Sequence, residues 1–254
     1  MRRAAFALLL AASPVAAKAA DSPYAIYAAG HYEEAMHAGE AARNAAGLAI
    51  AARAALADAM ERPQPCMICL QRAESFANRA IAAGPGYADG QVWLAVALGY
   101  ESRLTGPLRA RLARNPERAK EALERALRAD PANPYALSAL GGWHIEIVRL
   151  GGDFLARHIY GAEEATGLAL FDRAVKAAPA NVAVHYQIAL SLAGYDPARF
   201  KDRIRRELEA AVAAAPATAY ERFVRGRAAE LLALHKSGDD TAFSETVRHD
   251  QGYP

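Results

Sequence analysis

A short motif recurs four times along this chain: alanine, an aliphatic residue, any residue, alanine, any residue and proline. Its copies end at Pro85, Pro131, Pro179 and Pro216, so the intervals between prolines are 46, 48 and 37 residues. Alanine, leucine, glutamate and arginine dominate the sequence between the copies, and these residues favour helix. Self-similarity at such intervals is typical of stacked helical hairpins, in which each unit packs mainly against its neighbours.

The register of the motif predicts how the helices pair. Ten residues after each proline stands a small residue, which would let two helices approach closely. These residues are Ala95, Gly141, Ala189 and Gly226. Because the patterns on both sides of the intervening sequence stay in register, extra residues must lie between the first and second helices of a unit. The predicted insertions are residues 101–115, residues 146–165 and a short piece at residues 195–202.

In this register the chain resembles the tetratricopeptide repeat family over about residues 24–235. The pairs that match the family's Leu-Gly or Leu-Ala signature are Leu94-Ala95, Leu140-Gly141 and Ile188-Ala189, whereas Arg225-Gly226 departs at its first position. The resemblance implies an all-α, right-handed α-solenoid of about five helical hairpins, here with elongated turns inside the hairpins. It also implies a scaffold or adaptor that binds a protein or peptide on its concave surface.

A second resemblance covers about residues 137–179. The stretch from Leu140 to Ile147, followed by Ile159 to Ala162, is similar to the regulator of microtubule dynamics proteins, which are themselves tetratricopeptide-like. We take this resemblance as support for the fold and for the geometry of the insertions, and not for a microtubule partner.

The N-terminal residues are typical of an export signal. Arg2 and Arg3 precede an apolar run at residues 4–10, and Ala17-Lys18-Ala19 offers small residues for cleavage. The run is too short to span a bilayer, so we expect export, to the periplasm of a Gram-negative bacterium, over a retained anchor. The predicted divisions are a signal peptide at residues 1–19, a helical repeat domain at 20–236 and a polar tail at 237–254. Cleavage would change the formal charge from +2 to about −1, which argues against nucleic-acid binding.

The two cysteines, Cys66 and Cys69, are three residues apart. In an oxidising compartment this spacing favours a disulfide, although helical residues at this spacing keep their Cβ atoms about 5–6 Å apart and a bridge needs about 3.5–4.5 Å. A helix start at Cys66 would let the backbone close that gap. Two free or ligand-binding thiols and a catalytic redox pair remain alternatives.

No motif of a known enzyme class is present. The seven histidines form no metalloprotease signature, and the sequence has neither a Gly-x-Ser-x-Gly elbow nor a phosphate-binding glycine loop. We therefore expect a binding protein without catalytic residues, cofactor or metal.

Residues that could contact a partner lie on the first helices and beside the insertions. The expected contact residues are Tyr100, Arg103, Tyr135, Ser138, Trp143, His144, Glu146, Arg149 and Tyr186. For His144 we favour the alternative of a core residue, because it stands in register with a position that is usually aromatic and packed. The first insertion is rich in arginine and could receive an acidic partner or phospholipid headgroups, or could simply be solvated.

Two other function classes stay open beside the scaffold. One is a small-ligand or metal-binding accessory protein, in which the Trp143–His144 region and the insertions close a pocket. The other is a redox-linked protein that uses Cys66 and Cys69. A cavity that touches both long insertions would favour ligand binding, whereas an open, continuous groove would favour the adaptor.

Overall fold

Thirteen α-helices and one π-helical turn make up the described residues, 22–64 and 66–254, of this computed structural model. The predicted signal peptide lies outside them. In chain order the helices are α1 (Pro23–Ala29), α2 (Tyr32–Ala41), α3 (Ala45–Glu61), α4 (Met67–Ala83), α5 (Ala88–Thr105), α6 (Pro107–Leu112), α7 (Asn115–Ala129), α8 (Pro134–Leu155), α9 (Glu164–Ala177), α10 (Val182–Tyr195), α11 (Lys201–Ala213), α12 (Ala219–Ser237) and α13 (Asp240–Asp250). The π-helical turn, Ala156–Tyr160, follows α8. Over the same residues no helix is long and apolar enough to cross a membrane.

The helices form two layers that follow the repeat. The first helices of the units, α3, α5, α8, α10 and α12, each contact the next in this series. The second helices, α4, α7, α9 and α11, each pack against the first helix of their own unit and of the following one. The predicted all-α, solenoid-like fold is therefore confirmed. The stack also curls until its ends meet, because α12 of the last unit contacts both α1 and α3.

The repeat motif marks the end of each second helix. Helices α4, α7, α9 and α11 end two or three residues before their prolines, which lack the N–H that a continuing helix needs. The first alanines of the four motifs, Ala80, Ala126, Ala174 and Ala211, are all fully buried. Polar side chains then cap the following helices: Asn133, Asn181 and Thr218 accept hydrogen bonds from N–H groups in the first turns of α8, α10 and α12.

A small residue stands ten residues after each repeat proline, and close helix contact explains it at Gly141 but not at Gly226. A Cβ atom at Gly141 would lie 2.6 Å from Cδ1 of Phe171 and 2.9 Å from the carbonyl oxygen of Gly167, both on α9. At Gly226 a Cβ atom would meet no atom within 4 Å, and the residue is exposed. The prediction of a close helix contact at the fourth position is therefore wrong.

The insertions lie where the register predicts them, between paired helices. The first consists of the end of α5, helix α6 and the link to α7. The second consists of the end of α8 and the π-helical turn, and the third is the short link between α10 and α11.

The predicted polar tail is wrong, because residues 240–250 form helix α13. Phe243 and Val247, four residues apart, give α13 one apolar face, and both are buried. The helix packs against α10 and α12 and brings the chain terminus back to the inner helices.

Candidate binding site in the inner cavity

The first helices surround a partly open cavity of about 580 Å³. Pro107 and Arg111 of the first insertion line it, as do Leu155 and Ile159 of the second. Such a volume lies within the range of about 300–1,000 Å³ that is common for small-molecule sites. The cavity therefore touches both long insertions.

Most of the cavity wall is apolar. Alanines of four successive first helices line it, and larger aliphatic side chains fill the spaces between them. The alanines are Ala57, Ala95, Ala139 and Ala183, and the larger side chains include Leu56, Val96, Leu123, Ile147 and Val184. A wall of this kind favours a ligand with a substantial hydrocarbon portion.

Arg53 of α3 is a cation in this apolar wall. Its guanidinium carbon lies 4.8, 5.1 and 5.0 Å from the ring centroids of Tyr27, Trp93 and Tyr135, so its charge faces three aromatic rings. Nη2 of Arg53 donates a hydrogen bond to the hydroxyl of Tyr135 at 3.0 Å. Within residues 22–64 and 66–254, no carboxylate oxygen lies within 4.0 Å of the guanidinium. An arginine stays protonated, so the cavity carries a positive charge that no carboxylate of the described chain pairs.

Two further donors at the cavity lack acceptors. Nε1 of Trp93 and Nε of Arg103 are buried and form no hydrogen bond with any described residue, although both side chains line the cavity. Buried polar groups in proteins are normally hydrogen-bonded. Together with the guanidinium of Arg53, these two unsatisfied donors suit an anionic ligand.

Six of the nine predicted contact residues line this cavity. They are Tyr100, Arg103, Tyr135, Ser138, Trp143 and Glu146. These six residues therefore lie on helix faces that turn toward the cavity, but several of their side chains have structural partners. Nε1 of Trp143 donates to the carbonyl oxygen of Pro116 at 2.9 Å, and the Trp143 ring lies beside Lys120. Trp143 therefore joins α8 to the first turns of α7.

Glu146 and Arg149 form an internal ion pair. Arg149 donates two hydrogen bonds to Glu146, each at 2.9 Å, and the hydroxyl of Tyr253 contacts both side chains. Burial alone would raise the pKa of Glu146, but the hydrogen bonds from Arg149 and Tyr253 and the charges of Arg149 and Arg103 lower it to about 2. Glu146 is therefore ionised and paired, and Arg149 holds the C-terminal segment rather than lining the cavity.

His144 is a buried structural residue and does not line the cavity. Its Nδ1 accepts a hydrogen bond from the backbone N–H of Glu163 at 3.0 Å, at the start of α9. Burial, together with the charge of Lys120, lowers the pKa of His144 to about 4, so the ring is neutral. The prediction that His144 contacts a partner is replaced by its alternative, a core histidine that tethers the second insertion.

Tyr186 is covered by α13. It is buried, and its hydroxyl donates to Asp250 at 2.6 Å. Asp250 also accepts hydrogen bonds from Arg227 of α12. Tyr186, which was predicted to contact a partner, is instead in contact with the segment that was predicted to be a polar tail.

Cys66 and Cys69 form a disulfide at the start of α4. Their Cα atoms are 5.2 Å apart, and Cys66 is the N-cap residue of the helix, so the bond joins the cap to the first turn. Residues 22–64 and 66–254 also hold no group of three His, Cys, Asp or Glu side chains that could bind a metal ion.

The sequence predictions omit three residues of the site, Arg53, Trp93 and Tyr253. Arg53 could have been found, because it is the only charged residue of α3 before the last four residues of that helix. Such a position predicts a buried cation. The packing of Tyr253 against Glu146 depends on the path of the C-terminal segment, for which the local sequence carries no comparable signal.

The class of protein is thus an all-α, solenoid-like protein with a lined inner cavity. Residues 35–162, from α2 through the π-helical turn, match the sequence model of the family Regulator of microtubule dynamics protein 1-3. This match covers half of the chain, and the chain belongs to that family. Of the predicted resemblance at residues 137–179, the match includes the part up to residue 162. No curated protein matches the chain.

Proposed function

We propose that this protein binds an amphipathic anion, which consists of an acidic head group and a hydrocarbon chain, in its inner cavity. The observation that carries the proposal is Arg53, a permanent cation without a carboxylate partner among the described residues, in a cavity with an apolar wall. The donors of Trp93 and Arg103 that lack acceptors support the same conclusion.

The hydrocarbon chain would lie along the alanine-lined wall, where burial of apolar surface contributes about 25 cal/mol per Å². The acidic head group would accept hydrogen bonds from Arg53, whose planar fork suits a carboxylate or a phosphate. Charge-assisted hydrogen bonds of this kind contribute about 1.5–3 kcal/mol. The head group would therefore set specificity, and the hydrocarbon chain would supply most of the affinity.

This proposal favours a protein that binds a small ligand over the predicted adaptor that binds a protein or peptide. Contact of the cavity with both insertions supports that choice, since an adaptor would be expected to present a continuous open groove. We further propose a tetratricopeptide-type solenoid, on the strength of the four repeats, and export to the periplasm, on the strength of residues 1–19. The family's name refers to microtubule dynamics, which an exported protein would not encounter. We propose binding rather than catalysis, because no enzyme motif stands in the sequence.

Calorimetric titration with palmitate and with hexadecanol, in buffer without vesicles, tests the proposal. The two probes share a hydrocarbon chain and differ in head-group charge. We expect palmitate to bind and Arg53→Gln to weaken palmitate about tenfold to a hundredfold, because one charge-assisted hydrogen bond or more is lost. Hexadecanol affinity should stay within about twofold of wild type, which also shows that the variant is folded.

Two further variants locate the site. Arg79→Gln makes the same change on α4, where the arginine pairs with Glu40 away from the cavity, and should leave both affinities unchanged. Ala139→Phe fills part of the cavity and should weaken both probes. The proposal is wrong if neither probe binds, if they bind wild type equally, or if Arg53→Gln leaves palmitate affinity unchanged.

A further inference from the structure

Exposed apolar side chains are concentrated on the two long insertions. In the described part of the chain, nine large hydrophobic side chains are exposed, and six of them lie there. The six are Leu108, Leu112, Leu150, Phe154, Leu155 and Ile159. Leu112 is 78% exposed and Phe154 is 71% exposed. Exposed apolar patches of this kind mark surfaces that bind something, because scattered single residues would be the ordinary case.

Three arginines accompany these apolar residues. Residues 105–114 contain no charged side chain other than Arg109, Arg111 and Arg114, all of them exposed. None of the three forms an ion pair with any carboxylate of residues 22–64 and 66–254, whereas Arg157 of the second insertion pairs with Glu163. We call the six apolar residues and these three arginines the insertion edge.

The insertion edge has the amphipathic pattern of a segment that lies in a membrane interface. Leu108 and Leu112 are four residues apart and share one face of α6, while Arg109 and Arg111 lie off that face. The end of α8 and the π-helical turn add Phe154, Leu155 and Ile159. Leucine and phenylalanine beside arginine is the composition with which peripheral proteins enter the boundary between headgroups and acyl chains.

The insertion edge also borders the cavity. Pro107, Arg111, Leu155 and Ile159 belong both to the insertions and to the cavity lining. The second insertion is fixed to α7, the helix that follows the first insertion, because Nζ of Lys120 on α7 donates to the carbonyl oxygen of Tyr160 at 2.8 Å. An apolar cavity whose rim carries exposed apolar side chains can receive a hydrocarbon chain without passing it through water.

We propose that the insertion edge docks this protein on the surface of an anionic lipid bilayer. The apolar residues would insert between headgroups, and the unpaired arginines would contact anionic headgroups. The excess of positive charge on the first insertion complements an anionic surface. A protein partner would be expected to offer carboxylates to the same arginines and becomes an alternative outcome of the test. This proposal goes beyond ligand binding in the cavity, and the two can fail separately.

Vesicle flotation tests the docking. The processed protein, without added ligand, is mixed with phosphatidylcholine vesicles that contain about one third phosphatidylglycerol, or none. We expect binding to the anionic vesicles, weaker binding to the neutral ones, and loss of binding at high salt. The double variant Leu112→Ser/Phe154→Ser should lower partitioning at least about tenfold, since two large side chains no longer insert.

Matched controls come from elsewhere on the surface. Ile68→Ser changes an apolar residue that is as exposed as Leu112 but lies on α4, and should leave partitioning unchanged. Arg109→Gln/Arg114→Gln should weaken only binding to anionic vesicles, about fivefold for each charge. Arg128→Gln, on α7 outside the insertion edge, should lower binding less than either change in the edge.

Several outcomes would overturn the docking proposal. Wild-type protein that floats with neither vesicle would do so, and so would equal flotation of wild type and Leu112→Ser/Phe154→Ser. If sedimentation shows a dimer that this double variant dissociates, and no vesicle binds, the insertion edge covers a second copy instead. Binding of a protein and of no vesicle to the insertion edge would also contradict docking on a bilayer. Palmitate titration without vesicles still reports on the cavity in each case.

Discussion

Alanine substitutions at Gly141 and Gly226 should have opposite effects on stability, although both glycines stand ten residues after a repeat proline. Both lie inside helices, α8 and α12, where alanine is favoured over glycine by about 0.8–1 kcal/mol. That gain is common to the two positions. They differ in what the new methyl group meets, so the pair separates helix propensity from helix packing.

At Gly141 the methyl group has no room. Its Cβ atom would lie 2.6 Å from Cδ1 of Phe171 and 2.9 Å from the carbonyl oxygen of Gly167. The Phe171 ring is fully buried and the carbonyl belongs to the backbone, so neither can move away freely. Overpacking of this kind costs about 1–3 kcal/mol and occasionally more. Contacts of 2.6 and 2.9 Å lie at the severe end of that range, about 2–3 kcal/mol. After the gain in propensity of about 1 kcal/mol, Gly141→Ala should destabilise the protein by about 1–2 kcal/mol.

At Gly226 a methyl group would meet no atom within 4 Å, and the backbone is helical. Gly226→Ala should therefore stabilise the protein by about 0.5–1 kcal/mol. The difference between the two variants, about 2–3 kcal/mol, corresponds to about 4–12 °C in Tm for a chain of this size.

Urea unfolding followed by circular dichroism measures both free energies, and a thermal scan gives the two Tm values. The double variant Gly141→Ala/Phe171→Leu adds a direct check on the contact. A smaller side chain at 171 should remove part of the penalty, so the two changes should be non-additive by at least about 0.5 kcal/mol. Equal effects at Gly141 and Gly226, or additivity in the cycle, would refute close α8–α9 contact as the reason for glycine.

Three further predictions concern ionisable groups. Burial, and then the nearby Glu74, raise the pKa of Glu101 from 4.5 to about 7. The free energy of unfolding should therefore fall as the pH rises from about 4.5 to 7. In urea unfolding, Glu101→Gln should stabilise the protein by up to about 3 kcal/mol at pH 8 and should have no such effect at pH 4. The hydrogen bond to Glu207, at 2.6 Å, raises the pKa of His185 above its usual value. The protonated His185 therefore stabilises the fold fully below about pH 6.5, and this contribution disappears as the pH rises through the raised pKa. His185→Gln should accordingly lower the free energy of unfolding more at pH 6 than at pH 9. Tyr253→Phe removes a hydroxyl that contacts the Glu146–Arg149 pair and should lower the free energy of unfolding by about 1–2 kcal/mol. Relative to wild type, amide exchange should accelerate more in α13 than in α9.

The register of the repeat predicts the helix pairs because helix ends and contacts between neighbouring helices depend on nearby residues in the sequence. A proline beyond the first turn prevents a helix from continuing, and three of the four small residues at a fixed distance from the repeat prolines are buried on the first helices. The register predicts α3, with bounds of Ala45 to Met60, and α12, and it places the insertions correctly. It could not predict that α1 and α12 meet, because that contact depends on a small rotation at each unit added over the whole stack.

The site was predictable only in part for the same reason. Tyr100, Tyr135 and Ser138 face the cavity because they stand on the inner face of a first helix, which the register identifies. Tyr186 stands on such a face too, but α13 covers it. The four-residue spacing of the apolar residues Phe243 and Val247 was the signal for that helix, and the polar residues between them obscured it.

The cavity and the close packing of the repeats have a common origin in alanine. Buried alanines of the second helices, such as Ala126 and Ala174, let the two layers approach. The same residue at Ala57, Ala95, Ala139 and Ala183 on the first helices leaves the centre of the closed stack unfilled. Protein interiors are otherwise packed nearly as densely as organic crystals, so an apolar space of about 580 Å³ is a departure that the composition of the inner face produces. Larger aliphatic residues at these four positions should fill the cavity while the outer layer keeps the fold, and the proposed anion would then have no room beside Arg53. The alanine content that gives the repeat its register thus also determines the size of the cavity.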